Sequence, residues 1–567
     1  MYSVSGNHWE EITINKRIVD KVKLDHRFSE IISKLIVFRK FNQFEIDTIK
    51  KDIFLNNPFL NNDDFEQAYK ILEETIKKKE KILIIGDYDV DGCVSTSLLV
   101  NFFKKINVHT DYYIPNRFKD GYGASLNLVK KLIKKKPDLI IMLDCGSNSV
   151  ASVNYLRLKK IKTIIIDHHV INHPYPKANS IINPKKKCKY TNFDYLCTAF
   201  IVYFLIDFYI KKKKLDVNFV HNLAYVLLAT VCDVMPLRNL NRLLALNIFK
   251  NPSIYENFIF KKILVLKEIK RPLQINDLGF LIGPIFNSAG RLGDANIIVE
   301  LLTTENRVQK ENIINKLLET NEKRKIIENN LLKKINFYNL KNLNQNVIVL
   351  YENFFNEGII GIVAARIKEF FNKPSVVITK SNNNFKASAR STSNFNIGYF
   401  IKECVDKKIL IDGGGHNLAA GFTIKKDNIS KFRDYINLIY DKQKLNNSRK
   451  YISKISFNSI NFRFYENLKV LAPFGSKNNE PFFLIENIKI IKPKIIKNKY
   501  VSFYAKSKYG KSLQAISFNH LDSDINKSIL FNKNKISLIV QIKENLWNNK
   551  KSLQLIVSDV IDFSNKA

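Results

Sequence analysis

Three short apolar runs between residues 80 and 170 share one pattern. Ile82-Leu83-Ile84-Ile85 ends at Gly86-Asp87, Leu139-Ile140-Ile141-Met142-Leu143 ends at Asp144, and Thr163-Ile164-Ile165-Ile166 ends at Asp167-His168-His169. Each run is apolar throughout and rich in β-branched residues, as expected of a strand buried on both faces of a parallel sheet. Segments with helical spacing lie between them, such as Ser125 to Lys135, so the region predicts βαβ alternation. The polar residues all stand at the C-terminal end of their run, the edge where open α/β sheets bind ligands. Three acidic clusters far apart in sequence are therefore expected to converge in space.

The apolar stretch Tyr195 to Ile206 is shorter than the ~20 residues a spanning helix needs and reads as a buried helix. Leu223 to Ala229 is helix-like and leads to Asp233. Neither Gly nor Pro occurs from Asp294 to Glu357, and apolar residues at helical spacing predict a long charged helix from about Glu305 to Ile335, an arm joining two domains. A second α/β unit follows, with strands at Val347–Leu350 and Val376–Ile378, a helix over Gly361 to Phe371 and a Gly413-Gly414-Gly415-His416 loop. The polar segment 441–450 reads as a linker. Beyond it, β-type runs at Phe482–Ile485, Val501–Tyr504, Ile536–Val540 and Leu553–Val557 suit a small barrel.

Length and composition fit a multidomain globular chain: 567 residues, 45% hydrophobic and 25% charged. The formal net charge of +38 attracts polyanions. Lys, Asn, Ile, Phe and Tyr are also the residues of AT-rich codons, so charge alone does not establish a nucleic-acid partner. Residues 451–567 carry 19 Lys+Arg against 8 Asp+Glu. Phe462, Phe464, Tyr465, Phe503, Tyr504, Tyr509 and Trp547 interleave with those basic residues, a mix that suits stacking on unpaired bases, although each one singly is better read as barrel core. The six cysteines, Cys93, Cys145, Cys188, Cys197, Cys232 and Cys404, form no C-x-x-C pair and fit a reducing cytosol. The first twenty residues contain no apolar signal region.

Asp87, Asp89 and Asp91 place three carboxylates within five residues, and a divalent metal is the simplest way to offset their repulsion. A calcium loop of the EF-hand type would need Glu at its twelfth position, which is Leu98. Asp144, the Asp167-His168-His169 run and Asp233 add ligands at the same edge. Carboxylate oxygens mixed with imidazole suit Mn²⁺ or Mg²⁺ better than a cysteine zinc site. So many acids imply two ions, which together activate water and clamp a scissile phosphate.

GDYDVDG, LDCG, DHH and CDVMP resemble, in order and spacing, the four motifs of DHH phosphoesterases. PNRFKDGYG (115–123), FNSAGRLGD (286–294), GIIGIVAARIKEFFNKP (358–374), KASARS (386–391), GGGHNLAAGF (413–422) and LAPFGSKNNEPFF (471–483) narrow the resemblance to the RecJ family, over most of the chain. That resemblance implies a DHH catalytic domain with a parallel sheet over 76–300 and a connecting helix over 301–340. It implies a smaller α/β DHH-associated domain over 341–440 and an OB-like β-barrel over 451–567. Residues 1–75 are expected to form a helical extension packed on the catalytic domain.

The resemblance also implies roles. Asp87, Asp89, Asp91, Asp144, His168 and Asp233 match metal-ligand positions, with Asp144 as the bridge between two ions. His169 matches the histidine facing the scissile phosphate, and Asp167 would orient a histidine from behind. Arg117, Tyr122, Asn287, Arg291, Ser388, Arg390, Gly414, Gly415 and His416 match nucleic-acid-binding positions, with Arg291 and Arg390 gripping phosphate. The implied activity is 5′→3′ hydrolysis of single-stranded DNA to 5′-mononucleotides in recombination and repair. A cytoplasmic monomer is expected, without membrane attachment, partnered by a single-strand-binding protein and a helicase. Two alternatives stand beside it: a DHH enzyme for short oligonucleotides, and a binding protein with a weakened site. The chain departs from the family pattern at Phe355-Asn356, where Trp-His is usual, at Lys477, where Gly is usual, and at Tyr500, where His is common in the barrel.

Overall fold

The structure is a computed structural model that describes residues 1–186, 191–251, 257–335, 340, 345–381, 384–442, 448–531, 534–547 and 550–561. Cys188, residues 336–339 of the connecting segment, linker residues 443–447 and the side chain of Trp547 lie outside the described residues.

The three apolar runs form the middle of an all-parallel five-stranded sheet ordered Thr110–Tyr113, Ile82–Ile85, Leu139–Leu143, Lys162–Ile166, Ser180–Ile182. Ile82–Ile85 and Leu139–Leu143 are buried at every position, because helices cover both faces. Helix Val90–Lys105 packs on one face with helix Thr198–Lys213, and Leu126–Leu132 and Val150–Leu158 lie against the other. Chain order reverses between Ile82–Ile85 and Leu139–Leu143. A crevice opens outside the strand ends at such a switch point, and Asp87 and Asp144 flank it.

Helix Arg307–Lys334 joins the two α/β units. Ile313, Ile314 and Leu317 near its start belong to the catalytic core, whereas Leu331 near its end packs with Val363, Ile367 and Val377 of the second unit. The second sheet is ordered Asp412–His416, Ala419–Ile424, Asn384–Arg390, Ser375–Ser381, Ile348–Tyr351. Its glycine run corrects the sequence expectation: residues 413–416 are not a loop but the edge strand, paired antiparallel with Ala419–Ile424. Glycine is depleted in strands, so composition alone reads it as a turn.

The C-terminal unit is a barrel of Ser453–Lys454, Phe483–Ile496, Tyr500–Lys506, Ser512–Ser517, Lys550–Ile561 and Ile536–Trp547, closed by pairing of Phe483–Ile496 with Ile536–Trp547. Its aromatics divide. Phe503 is core, Phe464 and Tyr465 pack against the core, and Phe462, Tyr504 and Tyr509 are exposed.

The N-terminal extension also departs from expectation. Its last helix, Asp63–Lys77, packs on the catalytic core through Phe65, Ala68 and Leu72, and Phe44, Ile53, Leu55 and Phe59 before it touch the same core. The first fifty residues join the barrel, with Ile12, Ile32, Leu35, Ile36 and Ile46 sharing its core cluster. Strand His8–Glu11 pairs in parallel with Ser448–Tyr451, which takes residues 448–450 out of the expected linker. The Trp9 indole donates to the buried Asp559 carboxylate at 2.9 Å. That pairing spans some 440 residues, and no local periodicity announces it. Among the described residues no helix is long and apolar enough to cross a membrane.

Candidate active site: a carboxylate and imidazole centre facing three arginines

Each acidic residue is placed by the end of a regular element. Asp87 follows Ile82–Ile85, Asp89 caps helix Val90–Lys105 by accepting from the Gly92 N–H at 3.0 Å, and Asp91 lies in that helix's first turn. Asp144 ends Leu139–Leu143 in a left-handed conformation, φ 59°, that turns its carboxylate into the crevice. Asp167, His168 and His169 follow Lys162–Ile166, and Asp233 closes helix Leu223–Cys232.

These groups converge. His168 Nε2 stands 3.3 Å from Asp233 Oδ2, 3.4 Å from Asp144 Oδ1 and 3.8 Å from Asp91 Oδ2. Two ligand triads result, Asp87–Asp89–Asp144 and Asp91–His168–Asp233, and a third grouping joins Asp144 to His168 and His169. Asp144 sits between the triads, in one of them and beside the histidine of the other. The donor set fits divalent cations on a second ground. Asp87 Oδ1, Asp144 Oδ2 and both ring nitrogens of His168 are buried with no hydrogen-bond partner. Folded proteins rarely leave such atoms unmatched unless something else binds them.

The electrostatics agree. Burial, then the neighbouring acids, hold Asp87, Asp144 and Asp233 well above the usual carboxylate range, and Asp91 is pushed up to about 6. Burial drives His168 well below its ordinary value, which keeps the ring neutral as a ligand must be. His169 behaves oppositely. Burial would lower it, but its Nδ1 lies 2.8 Å from Asp167 Oδ1, and that carboxylate raises it to about 9. Burial would raise Asp167, but the His169 hydrogen bonds together with the charges of both histidines outweigh it and hold the carboxyl low. With Nδ1 turned to Asp167, the outer nitrogen Nε2 faces the crevice, 3.5 Å from the Tyr122 hydroxyl.

The sequence-singled phosphate residues gather opposite. The Arg117 guanidinium lies 4.4 Å over the Tyr88 ring, Tyr88 meets Tyr122 edge-on, and Tyr122 meets His169 likewise. His169 in turn stacks at 6.1 Å on His416 of the second domain. Arg291 Nη1 donates to the Gly358 carbonyl at 3.3 Å, and Arg390 Nη1 donates to Ser388 Oγ at 3.1 Å. Burial lowers Arg291 to about 9, with the charges of Arg117 and Arg390 adding to it. Among the described residues none of these three arginines has a carboxylate within 4 Å. Helix Gly283–Leu292, which carries Asn287 and Arg291, comes so close to the acidic loop that a Cβ at Gly290 would stand 2.4 Å from Tyr88 O. Gly414 and Gly415 lie on the exposed edge strand beside His416.

Several site residues have no sequence signal of their own. The Thr198 and Ala199 N–H groups, at the start of helix Thr198–Lys213, both donate to Asp91 at 2.8 Å, and Thr198 Oγ1 donates to Asp144 Oδ1 at 2.9 Å. Asn183 Nδ2 donates to Ser147 Oγ and to His169 O. Lys185 is lowered by burial and feels Asp233 as its foremost opposing charge. A helix N-terminus is a general anion site, and that rule could have flagged Thr198. The departures are accommodated locally: Asn356 Oδ1 accepts from the Gly358 N–H at 2.9 Å, Lys477 takes the left-handed conformation a glycine would favour, and Tyr500 packs edge-on against Phe518.

An acidic and imidazole centre at the switch point of a parallel sheet, faced by Arg117 and Arg291 of its own domain and by Arg390 of a second α/β domain, defines a phosphoesterase of the DHH class. Residues 81–230 match the DHH family, N-terminal domain, 344–442 the DHHA1 domain and 453–559 the RecJ OB domain. The chain thus combines DHH, DHHA1 and RecJ OB domains, and over nearly its full length it is similar to RecJ proteins of that class. It is 28% identical to the single-stranded-DNA-specific exonuclease RecJ of Bacillus subtilis, over 98% of this chain and 71% of that protein. It is 28% identical to the Haemophilus influenzae protein of the same name, over 91% and 93%. The crystal structure of Thermus thermophilus RecJ in complex with Mn²⁺ has the same fold, with a TM-score of 0.82 at 19% identity, covering 98% of this chain and 79% of that one.

Proposed function

We propose that the chain is a metal-dependent exonuclease that hydrolyses single-stranded DNA from its 5′ end, releasing 5′-mononucleotides, in recombination and repair. The reading rests above all on one observation: two ligand triads lie side by side, with Asp144 in one and 3.4 Å from the histidine of the other, and with buried ligand atoms that no protein group satisfies. Asp87, Asp89, Asp91, Asp144, His168 and Asp233 would hold two divalent cations, Mn²⁺ or Mg²⁺. Bound there, such ions lower the pKa of water and neutralise charge on the scissile phosphate. His169, kept protonated by Asp167, faces that phosphate and can give its proton to the departing oxygen. Arg117, Arg291 and Arg390, with Ser388, grip the phosphates, while Tyr122, Asn287, Gly414, Gly415 and His416 line the strand's path. Exposed Tyr504 and Tyr509 on the basic barrel supply stacking faces further along.

In this proposal the domains are 76–300, 301–340, 341–440 and 451–567, and the single strand passes between the two α/β domains. The protein acts in the cytoplasm as a monomer, with a single-strand-binding protein and a helicase supplying its substrate. Digestion of a single strand labelled at either end, with and without Mn²⁺ or Mg²⁺, tests activity, polarity and metal together. Release of the 5′ label first, only with metal, is expected; an intact strand in both metals refutes the reading.

A further inference from the structure

The loop carrying Asp233 is the one part of the acidic centre not anchored on the parallel sheet. Among the described residues no hydrogen bond is made to the Asp233 carboxylate: Asp91 and Asp89 repel it, while His168 Nε2 at 3.3 Å and the charges of His169 and Lys185 face it without fixing it. Its position therefore depends on the backbone. The next residue, Val234, sits at φ 55° with its side chain 68% exposed. A β-branched residue is crowded in that region and stays there only where the surroundings over-determine it. An exposed side chain supplies no such restraint through its own packing.

Two local bonds close the helix around Val234, its own N–H to Val231 O at 3.1 Å and the Met235 N–H to Thr230 O at 3.0 Å, and a second restraint comes from the other end of the chain. The Leu237 N–H donates to Ser476 O at 2.7 Å, and a Cβ added at Gly475 would stand 3.1 Å from Leu237 Cδ2. Arg242, almost fully buried, donates to Val470 O and Ala472 O of the same barrel loop. From the other side Arg238 forks onto the buried Glu45 carboxylate of helix Gln43–Lys50. This gives the LAPFG segment (471–475) work that strand binding does not explain.

We propose that the barrel loop at Gly475 and Ser476, with Glu45 opposite, is a clamp that positions Asp233 for its cation, so that the barrel domain sets metal occupancy as well as capturing the strand. The proposal rests on the metal-dependent reading above and assigns Gly475, Ser476 and Glu45 as positioning residues.

The test uses the full chain with Gly475→Ala, whose methyl nudges Leu237 by a few tenths of an ångström, and Gly475→Val, which displaces it further. Mn²⁺ binding is measured by titration calorimetry, and oligonucleotide binding by anisotropy in EDTA. One Mn²⁺ site is expected to weaken in graded fashion, at least tenfold in Gly475→Val. Oligonucleotide affinity should stay within twofold, and kcat should recover at saturating Mn²⁺. Adding Val234→Asn, a residue at ease in the left-handed region, should restore much of the lost Mn²⁺ affinity. Unchanged Mn²⁺ binding in both variants overturns the clamp, and so does a loss of oligonucleotide affinity with Mn²⁺ binding intact. If the unaltered chain binds no Mn²⁺ at all, the metal-dependent reading fails instead, and the two failures are distinct.

Discussion

Replacing Asp144 by Asn tests the centre where its two halves meet. The side chain keeps its shape, and its Oδ1 can still accept from Thr198 Oγ1. What disappears is one negative charge that belongs to one ligand triad and lies 3.4 Å from the histidine of the other. On the proposed function its loss removes several kcal/mol of transition-state stabilisation, which at about 1.4 kcal/mol per factor of ten is a fall in kcat of roughly 10³ or more. The same change should make the metal-free protein more stable. Asp144 is raised well above its ordinary value by burial and by Asp91, Asp89, Asp87 and Asp233. A carboxyl raised on folding costs nothing below its unfolded value near 4. It destabilises the native state progressively as pH climbs from there to the folded value.

The variant's advantage should therefore be nil near pH 4 and grow towards pH 8. It should reach about 2 kcal/mol, the scale of a buried, unmatched charged group, or roughly 5 °C for a domain of this size. Titrations remote from the centre cancel in the difference, while the neighbouring acids, relieved of the Asp144 charge, titrate lower in the variant and add to its advantage in the same direction. Melting curves in EDTA from pH 4.5 to 8, paired with cleavage assays in Mn²⁺, give both numbers. A variant less stable than the parent at pH 8 without metal, or one that cleaves within tenfold of it, would refute the reasoning.

Three further outcomes are expected. His169→Gln should lower kcat by about 10²–10⁴, while calorimetric Mn²⁺ affinity holds within a few-fold, because its Nδ1 is engaged by Asp167. Arg390→Ala should raise KM for a 5′-phosphorylated oligonucleotide by roughly 10- to 100-fold, the worth of a charged hydrogen bond, and should flatten the salt dependence of binding. Lys477→Gly should raise the melting temperature, since a left-handed non-glycine residue costs about 1 kcal/mol; a lower melting temperature would show that the Lys477 side chain makes a contact worth more than the strain.

What was legible in the sequence follows from where each signal is stored. Asp87, Asp144 and the Asp167–His169 run could be placed because each directly ends an apolar run, and strand direction then carries them to one edge. The long helix was legible for a similar reason: an uninterrupted helical period needs no tertiary information. The edge strand Asp412–His416 was not, because glycine gives no local preference and only pairing with Ala419–Ile424 makes it a strand. The N-terminal residues found the barrel through contacts at a separation of hundreds of positions, and Asp91 found its partners in backbone N–H groups, which every sequence contains and none advertises. The division has a mechanistic consequence. The legible site residues are fixed by the sheet itself and should tolerate changes elsewhere in the chain. Asp233, held by a strained loop gripped from residues 45 and 475, has its geometry written in distant segments, and it is there that remote substitutions should reach the chemistry.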